Sequence, residues 1–164
     1  MYKTYVRPLV EYNTCIWNPY LQKDINRVES IQRQFTKRLC KITNTKFSNY
    51  TDRLKIFKLE TLEVRRIKND LKLLYKIFHN LIDIPFENFF TKHQCVYNLR
   101  GHNFKLSLPK HSSIPFKQNF FSYRVVFIWN KLLVVNSTSL QIFKRNLDKF
   151  DPTELLSLTI TSKV

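Results

Sequence analysis

The clearest pattern in the chain lies between residues 21 and 42, where Leu21, Ile25, Val28, Ile31, Phe35, Leu39 and Ile42 recur every three or four positions. At about 100° per residue they fill one sector of a helical wheel, so the stretch reads as an amphipathic helix with that sector in the core. A second helical pattern runs from Thr61 to about Ile82, with Ile67, Leu71, Leu74, Phe78, Leu81 and Ile82 inward. Glu63 sits in its first turn, where the macrodipole favours a carboxylate, and Pro85 stops it. Helical spacing returns at Phe120, Phe121, Val125, Ile128, Trp129 and Leu132. It returns again at Leu140, Phe143, Leu147 and Phe150, where Thr138 and Gln141 have capping-box spacing.

Other segments carry weaker patterns. Met1 to Trp17 reads as a helix that Pro8 kinks or restarts and that Asn18-Pro19 ends. Ser48 or Asn49 can cap a short helix bearing Tyr50, Leu54 and Phe57. Residues 83–116 lack sustained periodicity and hold Pro85, Gly101, Pro109 and Pro115, with one short strand around Lys105 to Leu108. The expected fold is all-α: five or six amphipathic helices in an irregular bundle. Its divisions are a helical region over 1–82, a loop-rich connection over 83–116, a helical pair over 117–150, and a loose tail over 151–164.

Composition narrows the chemistry. One glycine in 164 residues excludes glycine-rich phosphate loops and turn-rich β architectures, which need several positions of positive φ or close backbone approach. Cys15, Cys40 and Cys95 are odd in number and form no CxxC pair, and the chain opens on no signal peptide. A reducing compartment, nuclear or cytoplasmic and not secretory, is therefore expected. No apolar run approaches the roughly 20 residues of a membrane span, so no membrane partner is expected.

Twelve acids are scattered without an adjacent pair or a DxD, so no two-metal site is visible and no catalytic residue is assigned. His93, Cys95, His102 and His111 do not match a zinc-ligand spacing, and neither metal nor cofactor is expected.

The basic residues are better organised. Lys and Arg total 28 against 12 acids, a formal charge of +16, which points to a polyanionic partner. An AT-rich coding sequence would also enrich Lys, but the charge acts physically whatever its origin. On the helix over 21–42, Lys23, Arg27, Gln34, Arg38 and Lys41 fall within about 60° of one another, beside the apolar sector. Arg65, Lys68, Lys72, Lys76 and His79 form a second stripe on the helix after Thr61. Such faces suit sequence-independent phosphate contacts, or are simply the solvated backs of amphipathic helices. Glu63, Arg66 and Asp70 have the three- and four-residue spacing of an internal ion network. Tyr97, Tyr123 and Tyr50 are the candidates for stacking on bases.

These residues also resemble a family. Tyr5-Val6-Arg7-Pro8, Glu11-Tyr12, Trp17-Asn18-Pro19-Tyr20, Glu29, Gln32-Arg33 and Thr36 are followed by Arg53-Leu54, Leu62-Glu63-Val64-Arg65-Arg66, Asp70-Leu71 and Tyr75-Lys76. Arg100-Gly101-His102, Lys105-Leu106, Phe120-Phe121-Ser122, Arg124-Val125, Trp129-Asn130, Leu132 and Phe143-Lys144 complete the series. In order and spacing they resemble the segment downstream of the catalytic palm in reverse transcriptases of non-LTR retrotransposons, especially jockey-like elements.

The resemblance implies a thumb-like helical region over 1–82 and the segment after it, gripping template-primer duplex in an RNA-directed DNA polymerase. The palm with its catalytic aspartates is missing, so the expected activity is nucleic-acid binding without catalysis. The expected partners are RNA-DNA hybrid or duplex and the absent palm. Met1 falls at an interior helical position of the family, which implies a truncated or degenerate element copy. Lys117, where the family often has Arg, and Leu133-Val134-Val135 after Leu132 depart from the pattern. The alternative is a protein-interaction module or an inert fragment whose charge only solubilises it.

Overall fold

Asparagine and proline do the punctuating that glycine does elsewhere. The computed structural model describes residues 2–46, 49–93, 104–108 and 114–160. A wide π-type turn at Tyr2–Val6 leads into α1 (Arg7–Glu11), which carries Pro8 in its first turn, where the missing N–H costs nothing. Asn13, at φ 54°, breaks the path before α2 (Thr14–Trp17). The restart expected at Pro8 is therefore followed by a second break that an Asn in the left-handed region produces.

The long patterns become α3 (Gln22–Ile42), α4 (Tyr50–Ile56) and α5 (Leu62–Phe78). The Asn49 side chain caps α4 by accepting the Asp52 N–H at 2.9 Å. All three helices end alike, with a non-glycine residue at positive φ: Asn44 (49°), Lys58 (49°) and Asn80 (51°). The next N–H then reaches back to the last turn, from Thr45 to the Cys40 carbonyl, Leu59 to Leu54, and Leu81 to Lys76. Asn80 thus stops α5 ahead of the Ile82 end expected from periodicity.

By contacts the chain forms two compact units, Met1–Arg66 and Ile67–Val164, dividing within α5 and not at residue 82. The first unit buries Tyr2, Ile25, Cys40, Leu54, Leu62 and Val64 together with five polar residues, Thr14, Glu29, Gln32, Thr36 and Arg66.

The second unit holds the rest of α5 with α6 (Pro115–Gln118), α7 (Phe121–Lys131), α8 (Leu140–Lys149) and α9 (Pro152–Ile160). Its core is aromatic: Tyr75 stacks on Phe143 with centroids 4.5 Å apart, and Phe78 meets Phe86, Phe104 and Trp129. The Trp129 indole donates to the Phe104 carbonyl at 2.8 Å, and the Asn130 amide exchanges two 2.8 Å bonds with the Leu106 backbone. That side chain takes the place of a neighbouring strand, so the strand expected at 105–108 is reduced to an isolated antiparallel bridge between Lys92 and Leu106.

Ser139, not Thr138, caps α8 by accepting the Ile142 N–H. The tail expected over 151–164 is instead helical as far as Ile160. Asp151 accepts the Thr153 N–H and hydroxyl, bonds that hold its carboxyl below the usual range, and Leu155 is fully buried as α9 packs on α7. All described regular structure is helical, in more and shorter pieces than periodicity suggested.

Candidate nucleic-acid interface

The face that α3 buries is not its apolar stripe. Ile25, Glu29, Gln32, Thr36 and Cys40 face the interior, while Leu21, Ile31 and Ile42 are 52%, 41% and 80% exposed and Val28, Phe35 and Leu39 are half-buried. On the wheel the buried row and the apolar row differ by roughly a quarter turn.

Hydrogen bonds explain the rotation. The Tyr2 hydroxyl donates to Gln32 Oε1 at 2.8 Å, and Gln32 Nε2 donates to the Tyr50 hydroxyl and to the Glu60 carbonyl at 3.0 and 2.8 Å. The Tyr50 hydroxyl donates to Glu29 Oε1 at 2.5 Å, and Glu29 Oε2 accepts the Leu62 N–H at 2.9 Å. Glu29 on α3 therefore caps α5 from outside its own helix, satisfying a first-turn amide that has no intrahelical partner. Thr61 supports the same terminus by accepting the Val64 N–H.

Burial, with Glu29 and Glu11 nearby, pushes the Tyr2 phenol up to about 12. Burial and the bond to Glu29 also raise Tyr50. The Arg33 and Arg53 guanidiniums lie 5.2 and 5.3 Å from the Tyr50 ring centroid, so this ring is occupied and not offered to a base. Tyr123 is half-buried, and Tyr97 lies outside the described residues.

The same rotation turns the cations of α3 outward. Lys23, Arg27, Arg33, Lys37, Arg38 and Lys41 are all exposed. The two acids of the helix lie off that face: Glu29 is buried, and Asp24 is half-buried in the first turn. Gln34, Lys37, Arg38 and Lys41 line a shallow depression of about 240 Å³. Residues Arg33 and Lys37 extend the expected stripe; their wheel positions signalled this, but they lay outside its narrow sector.

The expected stripe on α5 is not a solvent-facing track. Arg65 makes a two-point ion pair with Glu11, through Nε to Oε1 and through Nη2 to Oε2, the latter at 2.9 Å. Lys68 is only 1% exposed; its stem runs through the interior and its Nζ lies 3.5 Å from the Asp148 carboxylate. Lys72, Lys76 and His79 are half-buried.

Of the residues expected to form the network Glu63, Arg66 and Asp70, Asp70 has a further partner. Asp70 is buried and takes a two-point pair from Arg124 of α7, at 2.8 and 3.1 Å. Arg66 is buried, and Glu63 stays half-exposed. Arg124 lies more than fifty residues away in sequence, and its planar fork meets the carboxylate at two points.

His93 is exposed, whereas Cys95, His102 and His111 lie outside the described residues, as do Arg100 and Gly101. Comparisons with protein-family models, curated proteins and solved structures find no match.

Proposed function

We propose that the chain is a nucleic-acid-binding remnant of a retrotransposon-type reverse transcriptase, and that its phosphate-binding surface is the outward face of α3. The observation that carries the reading is the segregation of charge in the first unit. All six acids of Met1–Arg66 are buried or half-buried, while ten of its fourteen cations are exposed. A rigid helix with Lys23, Arg27, Lys37, Arg38 and Lys41 on one side, and no carboxylate among them, suits a phosphate backbone and carries no base readout.

The parentage rests on the resemblance. In its favour, polar residues that carry the resemblance are partners of one another: Glu11 with Arg65, Glu29 with Gln32 through the Tyr50 hydroxyl, and Asp70 with Arg124. Binding to hybrid or duplex is proposed without catalysis by this chain.

Replacing Arg27, Arg38 and Lys41 together by Gln should leave helicity unchanged and flatten the log-log salt dependence of duplex binding by up to about three units. The same charge removed at Lys131, Lys144 and Lys149, exposed in the second unit, should flatten it less. Equal losses would mean that binding follows total charge and that α3 is no site.

A further inference from the structure

The quarter-turn offset of α3 leaves a row of apolar side chains partly open, with Leu21 and Ile31 exposed and Val28 half-buried. Leu21, Val28 and Ile31 follow one another along the helix over about 15 Å, at spacings of seven and three. Tyr2 roofs the next member, Phe35, in a stacked contact with centroids 4.3 Å apart, so the open row ends there. Ile42 is separate, beyond the roof. Asp24, three residues after Leu21 and four before Val28, lies within the row, in the first turn of α3, where the helix terminus stabilises its charge. The outer border of the row is cationic, formed by Lys23, Arg27 and Arg38.

We propose that this row is the docking groove for an amphipathic helix from another protein, one whose apolar stripe is edged by carboxylates. Anchors at such spacings are how a helix seats in an apolar groove. The chemistry of the edge follows from charge complementarity: the first unit offers ten exposed cations and no exposed acid. A second copy of this chain is a poor occupant, because it would set the same cationic borders against each other at a formal charge of +16 per chain. The inference shares Lys23, Arg27 and Arg38 with the phosphate-binding reading but rests on the apolar row, so an uncharged substitution confined to that row separates the two.

The test uses the full chain and a three-heptad helical peptide with leucine along its seam and glutamate along both edges. A peptide of the same composition with scattered leucines is the control. The seam peptide should bind, the scattered one should not, and high salt should weaken the complex without abolishing it. Leu21→Asp places a favoured residue at the N-cap of α3, and Ile31→Gln keeps helix propensity, so both variants should fold. Ile31→Gln should weaken peptide binding by roughly tenfold or more while leaving duplex binding unchanged, whereas Leu21→Asp, which adds a carboxylate beside Lys23 and Arg27, should weaken both. Ile42→Gln, beyond the Tyr2 roof, should leave peptide affinity intact.

Equal binding of the two peptides, or no effect of Leu21→Asp and Ile31→Gln, overturns the proposal. So does a dimer in sedimentation velocity that Ile31→Gln dissolves, which would make the occupant a second copy. Binding of phosphatidylglycerol vesicles in preference to the peptide, lost in Leu21→Asp, overturns it in favour of a lipid surface.

Discussion

Met1–Arg66 and Ile67–Val164 carry the same formal charge, each with fourteen Lys and Arg against six Asp and Glu, but they spend it differently. The first unit draws Glu29 inward to Leu62 and Tyr50 and Glu11 to Arg65, and among its charged residues only cations are fully exposed. The second leaves Asp83, Glu87, Asp148, Asp151 and Glu154 exposed and buries only Asp70. The cores differ in the same sense. One is stitched by a carboxylate, an amide and two phenols; the other is a stack of aromatic rings about Trp129 and Phe143. Equal net charge therefore does not mean equal attraction for a polyanion, because what counts is where the acids go.

The strongest challenge to this contrast is a large-to-small change in each core. Trp129→Ala should destabilise the second unit by about 3–5 kcal/mol, through lost burial, a cavity and an unpaired Phe104 carbonyl. Glu29→Ala should cost the first unit about 1–3 kcal/mol, because the Tyr50 hydroxyl and Leu62 amide lose their acceptor. Residue-resolved hydrogen exchange checks both. If Glu29→Ala fails to accelerate exchange at Leu62, the carboxylate is not the cap of α5. Arg65→Ala should also cost about 1–3 kcal/mol, since its partner Glu11 is largely shielded; a neutral result would return Arg65 to the role of a solvent-facing cation.

The helices themselves were legible in the sequence: α3 begins and ends within a residue of its apolar pattern, and of the two offered caps, Ser48 and Asn49, it is Asn49 that accepts the Asp52 N–H. What was not legible is which face of α3 turns inward. Hydrophobicity weighs Glu29, Gln32 and Thr36 as solvent-loving, whereas the phenols of Tyr2 and Tyr50 and the free N–H of Leu62 make their burial favourable. Those partners lie eighteen to thirty-three residues away, beyond any periodic signal. Lys68 misled for the same reason: nothing near it in sequence announces Asp148. The exposure of the expected α3 cations was legible because they share one sector of the wheel, apart from the acids and from most of the apolar row.

The contrast should also appear in pH dependence. The Tyr2 phenol is raised to about 12 in the fold against an ordinary value of 10.0, and Tyr50 is raised as well. A raised pKa means stability fully present below about pH 10 and lost as pH climbs towards the folded value. Burial raises Tyr75 in the second unit too, so both cores weaken in alkali from the same pH, the first unit more steeply because two of its phenols, Tyr2 and Tyr50, titrate there. Acid separates the units in the other direction. His79 packs between Tyr75 and Phe104, its Nε2 buried without a hydrogen bond, and burial lowers its pKa below 6.5. The unfolded chain then binds the proton more tightly, so the second unit should lose stability as pH falls through 6.5 and below. His79→Phe should remove that acid sensitivity; if the loss persists unchanged, His79 is not its source.

The smallest expected effect lies at the helix ends. Asn44 and Lys58 close α3 and α4 in the first unit, and Asn80 closes α5 in the second, all with positive φ. Asn tolerates that region because its short polar side chain bonds locally, whereas Lys has only the steric penalty of its Cβ. Lys58→Gly should therefore stabilise the first unit by about 0.5–1 kcal/mol, since glycine takes the left-handed conformation freely and the gain exceeds its extra unfolded-state entropy. Asn80→Gly should change the second unit by only a few tenths of a kcal/mol. Lys58→Gly also removes one exposed cation away from the α3 face, so duplex affinity should fall by no more than a nonspecific charge would allow. Thermal melts of the two variants decide the matter: a destabilised Lys58→Gly would mean that the lysine stem contributes packing to the first unit that outweighs its backbone cost.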